Sequence, residues 1–135
     1  MMPPVVPEIT LTYLAGLALL YALLSLVVVV LRGKLNIPYG SGGNNRLRCA
    51  VRAHGNFSEW VPLIGLLVAG LEMSGWPPLH IHVLMGALLA ARILHPIGLF
   101  STVGTPTYFV GRIFGALTTW IVLLSASYLV LSSLI

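Results

Sequence analysis

The sequence predicts an all-α integral membrane protein, a bundle of four helices. Three observations carry that reading. Of 135 residues, 58% are hydrophobic, and the mean hydropathy is +0.99. Only 7% are charged, against roughly a quarter in a soluble domain, so the chain cannot cover itself with polar surface. The apolar residues also gather into four stretches, each long enough to cross about 30 Å of hydrocarbon at about 1.5 Å per helical residue.

The four stretches are expected at about 8–32, 46–74, 79–100 and 106–134, in a single domain over 1–135. Backbone exposed to lipid must satisfy its own hydrogen bonds, so the spans are helices, and none shows the alternation of a barrel strand. The first span is uncharged from Ile9 to Leu31. The preceding MMPPVVPEIT has no basic leader, and the run after it is too long for a signal-peptide core, so a retained span is expected. RGKLNIPYGSGGNNR, rich in Gly and Asn, links the first two spans. SGWPP makes a short turn between the second and third. In STVGTPTY, Pro106 suits a first helical position and Thr105 a cap.

A formal charge of +4 would suggest nucleic acid in a soluble protein. Here Arg32, Lys34, Arg46, Arg48 and Arg52 flank the first link, and Arg92 and Arg112 flank the third. Basic residues stay cytoplasmic, so both termini are expected on the opposite side. One cysteine, Cys49, permits no intrachain disulfide.

RAHGNFSEW, residues 52–60, breaks the apolar pattern. Arg48, Arg52, Asn56 and Glu59 follow one another at spacings of 4, 4 and 3, which holds them on one face of a helix. Glu59 lies about 20 Å along the helix from Arg46, where an unpaired charge costs at least ~2.5 kcal/mol. Pro62 frees the carbonyl of Ser58, and Pro96 that of Arg92. Arg92 and His95, three apart, bring further polar groups to the same half of the bilayer, as does Arg112. Arg48, Arg52, Arg92 and Arg112 against Glu59 leave an excess of positive charge, which favours a cavity for an anionic ligand. The structural alternatives are a snorkelling Arg48, a buried Arg52–Glu59 pair that fixes register, and an interhelical hydrogen bond from Asn56. Near the other surface, Glu72, His80 and His82 read as interfacial polarity rather than a metal site, because i,i+2 histidines diverge on a helix. Gly111 and Gly115 form a G-x-x-x-G step for close helix packing.

RLRCAVRAHGNFSEW resembles the second helix of the MAPEG family, membrane proteins of eicosanoid and glutathione metabolism. Its core is R-A-x-x-N-x-x-E, and the histidine after R-A is similar to the microsomal glutathione transferase branch. ARILHPIG, residues 91–98, resembles the family's third helix. The resemblance covers essentially the whole chain. It implies a homotrimer, with glutathione as co-substrate held between subunits in the cytoplasmic half; the short, unadorned chain suggests a bacterial inner membrane. No metal is implied. By position Arg52, His54, Asn56, Glu59, Trp60, Arg92 and His95 would bind glutathione, joined by Arg48 from the stripe. Catalytic relatives place a thiolate-stabilising arginine close to the start of the fourth helix. In this chain TPTYFVGR reaches no arginine before Arg112, about one turn later, with Tyr108 as the alternative donor. Leu99 stands where relatives carry a tyrosine. The expected function is a glutathione-dependent transferase or peroxidase acting on small lipophilic electrophiles. The alternatives are a non-catalytic binder of glutathione or a lipophilic anion, and a structural or transport subunit.

Overall fold

The structure is a computed structural model and describes residues 6–134. The first five residues, part of the stretch read as lacking a leader, lie outside the described residues. Four long helices form: α1 (Glu8–Leu35), α2 (Asn45–Met73), α3 (Pro78–Phe100) and a composite α4. The last begins with one turn at Pro106–Tyr108, widens into a π-helical segment at Phe109–Phe114, and resumes α-helical geometry over Gly115–Leu134. By length and composition α1, α3 and α4 are apolar enough to cross a membrane. Helix α2 is as long as its neighbours but carries Arg46, Arg48, Arg52, Glu59 and Glu72, and it is not among them.

Helix α1 runs three residues beyond its expected end, until Asn36 adopts a left-handed conformation (φ 55°) and closes it. Just beyond, the Arg32 guanidinium donates to the carbonyls of Ile37, Pro38 and Gly40 at 3.0–3.2 Å. A basic residue read only as topogenic therefore also orders the link. Asn44 opens α2 by accepting from Leu47 N at 3.0 Å. Thr105 caps α4 as expected, accepting from Tyr108 N at 3.2 Å.

The beginning of α1 is closed from a distance. Pro7 offers no side-chain cap, and the Glu72 carboxylate of α2 takes that place. It accepts from Ile9 N at 2.9 Å, Thr10 N at 2.8 Å and the Thr10 hydroxyl at 2.6 Å. A carboxylate suits the positive end of the helix dipole. His82 meets the Tyr13 hydroxyl at 3.3 Å, and His80 packs edge-on to Trp76. The polar groups at this end thus engage separate partners.

Helices α2 and α3 form the middle of the bundle, with α1 and α4 flanking them and not touching each other among the described residues. Phe57, Val61, Ile64 and Val68 of α2 face Leu84, Met85 and Leu88 of α3, joined by Leu17 of α1 and Val122 of α4. Glycine sets the α3–α4 crossing. A Cβ on Gly98 would lie 2.7 Å from Gly111 Cα, and one on Gly111 would lie 2.6 Å from the Leu94 carbonyl. Gly115, one turn on, meets the Ala91 carbonyl and His95 Cβ, each 3.1 Å from an added Cβ. The two backbones touch here, which brings the start of α4 against the polar part of α3.

Candidate functional site

Asn56 is the hinge of the polar cluster. Its Oδ1 accepts from Arg52 Nη2 at 3.1 Å, and its Nδ2 lies 2.8 Å from His95 Nε2. A guanidinium can only donate, so it fixes the amide orientation, and the amide N–H then donates to Nε2. That assigns the His95 proton to Nδ1, a buried atom with no partner of its own among the described residues. The chain Arg52–Asn56–His95 thus ties the α2 stripe to α3, as the interhelical reading of Asn56 expected.

Arg92 turns inward rather than toward this cluster's open side. It is 3% exposed; both of its terminal nitrogens meet protein acceptors, while its buried Nε has none among the described residues. Nη1 donates to the Asn56 carbonyl and Nη2 to the Gly115 carbonyl, each at 3.3 Å, and Nη2 also donates to the Thr119 hydroxyl. The Thr119 hydroxyl in turn donates to Gly115 O at 2.8 Å. One buried cation therefore joins three helices.

Two hollows flank the Asn56–His95 bond. The larger is a basic cavity of about 400 Å³, whose walls include Arg48, Arg52, Asn56, His95, Tyr108 and Arg112, with Cys49 and Leu99 completing the sides. No acidic residue lines it. Arg112 sits in the widened π-helical turn and reaches the cavity wall, where its Nη1 donates to the Tyr108 hydroxyl at 3.0 Å. The smaller, about 160 Å³, is bounded by Trp60, Arg92, Thr119 and Trp120, with the two indoles 4.9 Å apart.

The sequence-predicted residues therefore divide. Arg48, Arg52, Asn56, His95, Tyr108 and Arg112 converge on one cavity, and Trp60 and Arg92 border the smaller one. His54 turns toward α1 and stacks on Tyr21 at 4.6 Å, so it joins neither. Glu59 is exposed on the outer face of α2. The alternative of a buried Arg52–Glu59 pair does not form: both side chains are exposed, and Arg52 turns to Asn56 instead. Thr119 and Trp120 were not singled out from sequence, and Cys49 was noted only as the single cysteine. The small-residue spacing Gly111, Gly115, Thr119 was the available signal for the first of these.

The profile of the MAPEG family matches residues 10–132 of the chain. The chain belongs to the MAPEG family. Among curated proteins, inner membrane protein YecN of Escherichia coli strain K12 is 38% identical over 81 residues, 60% of this MAPEG chain and 62% of that protein. YecN of E. coli O6:H1 strain CFT073 matches to the same extent. The aligned stretch thus spans less than two thirds of these relatives. No solved structure matches the chain significantly. As a MAPEG protein of four helices, three apolar enough to span, the chain is an integral membrane protein.

Proposed function

We propose that this MAPEG chain is a glutathione-dependent membrane transferase or peroxidase acting on small lipophilic electrophiles. The observation that carries the proposal is the basic cavity. Its volume, about 400 Å³, falls in the range of roughly 300–1,000 Å³ usual for small-molecule sites. Three arginines and no acid in its walls suit a ligand with two carboxylates. Positive charge beside a thiol also favours the thiolate, which is the attacking form. Arg48, Arg52, Asn56 and His95 would hold the peptide, and Arg112, with Tyr108, would stabilise its sulfur.

Glu59 supports assembly as a homotrimer with glutathione between subunits. In one chain it stands exposed beside Leu63 and Leu66, which are 52% and 72% exposed. A carboxylate on such a face is costly against lipid, and a second copy would cover it. In that setting Glu59 would meet the amine of glutathione, and Trp60 would contribute to the pocket wall. We place the protein in a bacterial inner membrane, the location named for the E. coli relatives, with both termini away from the cytoplasm.

A non-catalytic glutathione binder is the second reading, favoured by the engagement of Arg112 with Tyr108. Titration calorimetry with glutathione, followed by conjugation of a generic electrophile in the same sample, tests both. Binding with turnover is expected. Binding without turnover selects the second reading, and no binding overturns both.

A further inference from the structure

An apolar groove runs along an exposed side of α1, near the link to α2. It has a volume of about 540 Å³. Leu26, Val30 and Leu31 of α1 and Phe100 of α3 wall it, and Lys34 and Arg46 close its link end. Leu26, Val30 and Phe100 are 57%, 43% and 44% exposed, so the hollow is open at the surface of the chain. Lys34 ends α1 and Arg46 begins α2, so two helices that meet at the link each contribute one cation. Both cations are exposed. Leu26 stands about 12 Å along α1 from Lys34. The groove therefore presents hydrocarbon at depth and positive charge at the level where a span ends.

That order of surfaces matches one ligand, an amphiphile of the bilayer with its anionic group at the interface. We propose that the groove is a binding site for an anionic phospholipid. One acyl chain lies along Leu26, Val30 and Leu31, and the phosphodiester sits between Lys34 and Arg46. A phosphate within reach of two cations gains charge-assisted hydrogen bonds. A juxtamembrane basic residue strengthens binding to an anionic headgroup about fivefold. The acyl chain would cover the exposed faces of Phe100 and Val30. Arg46 and Phe100 also border a recess of about 560 Å³. Asn45 and Cys49 are common to that recess and the basic cavity. The headgroup would thus sit beside the approach to that cavity. The lipid site does not depend on glutathione being the cavity's ligand.

Thermal unfolding of the purified full chain tests the proposal. Phosphatidylglycerol and phosphatidylcholine with identical acyl chains are compared, with glycerol phosphate as a chainless control. Phosphatidylglycerol is expected to raise Tm in a saturable manner, while the other two do not. Lys34→Gln with Arg46→Gln should remove the difference between the lipids, weakening binding about tenfold or more. Val30→Trp, which fills the groove and leaves both cations, should remove it too. Native mass spectrometry of the unmodified protein, retaining phosphatidylglycerol over phosphatidylcholine, supplies the same readout without substitutions. Equal effects of the two lipids overturn the proposal, as does selectivity that survives Val30→Trp. Efficient cross-linking of two copies through Val30→Cys also overturns it, because the groove would then be a protein interface.

Discussion

Arg112 donates to the Tyr108 hydroxyl at 3.0 Å, across one turn of α4, and both side chains line the basic cavity. Once the phenol oxygen has accepted from the guanidinium, its own proton is free to be donated into the cavity. A thiolate held there would then take its hydrogen bond from Tyr108, with the charge of Arg112 behind it. Tyr108→Phe should leave glutathione bound but raise the thiol pKa by about one unit, the equivalent of about 1.4 kcal/mol. Arg112→Ala should abolish the thiolate absorbance altogether. Ultraviolet titration of the bound thiol checks both. An unchanged titration in Tyr108→Phe would assign the thiolate to Arg112 alone.

Arg92 makes a different prediction, because its fork is used within the protein. It joins the Asn56 carbonyl of α2 to Gly115 and Thr119 of α4. Lysine carries the charge but cannot serve two acceptors on opposite sides with a planar fork. Arg92→Lys should therefore lower thermal stability in detergent, and Arg92→Leu should cost about 1–3 kcal/mol by removing the tie between the three helices. Thr119→Val should cost about 1 kcal/mol, with little change in glutathione affinity. A large loss of affinity in Thr119→Val, with Tm unchanged, would show that Arg92 contacts the ligand directly.

The two helices that carry the polar motifs were legible because hydrophobic surroundings make every charge conspicuous. Spacing alone placed Arg48, Arg52 and Asn56 on one face, and the structure brings them to one cavity. Spacing could not say which way Arg92 faces, since that depends on acceptors at Gly115 and Thr119 from a helix distant in sequence. Nor could it show His54 turning to Tyr21. The π-helical segment was equally hidden, because the crossing at Gly98 and Gly111 that accompanies it is a tertiary contact. Glu72 illustrates the same limit. Its role as the cap of α1 needs two residues 62 positions apart.

The Gly98–Gly111 crossing should tolerate no added atom. A Cβ at either position meets backbone rather than a flexible side chain, so relief requires the helices to separate. Gly98→Ala is expected to destabilise by about 1–3 kcal/mol, the usual cost of overpacking. It should also withdraw Arg112 from the cavity, so the thiolate signal should fall more than the affinity for glutathione. Gly70→Ala is a suitable control, since nothing lies within 4 Å of its added Cβ. Thermal unfolding and thiol titration of the two variants check the contrast, and equal behaviour would refute it.

Glu72 should decide how firmly α1 is docked. Its carboxylate receives the first free amides of α1 and the Thr10 hydroxyl, while α1 makes no contact with α4 among the described residues. The amino-terminal end of α1 is therefore held to α2 through this one side chain and the apolar packing around Leu17. Glu72→Gln keeps the shape but removes the charge and turns one acceptor into a donor facing amide N–H groups. A loss of about 1–3 kcal/mol is expected. The damage should be local, so amide exchange at Ile9 and Thr10 should accelerate while exchange at the centre of α3 is unaltered. Thr10→Val should produce a smaller version of the same pattern, because the two backbone bonds survive. Unchanged exchange at Ile9 in Glu72→Gln would show that apolar packing and the Tyr13–His82 contact hold α1 in place without the cap.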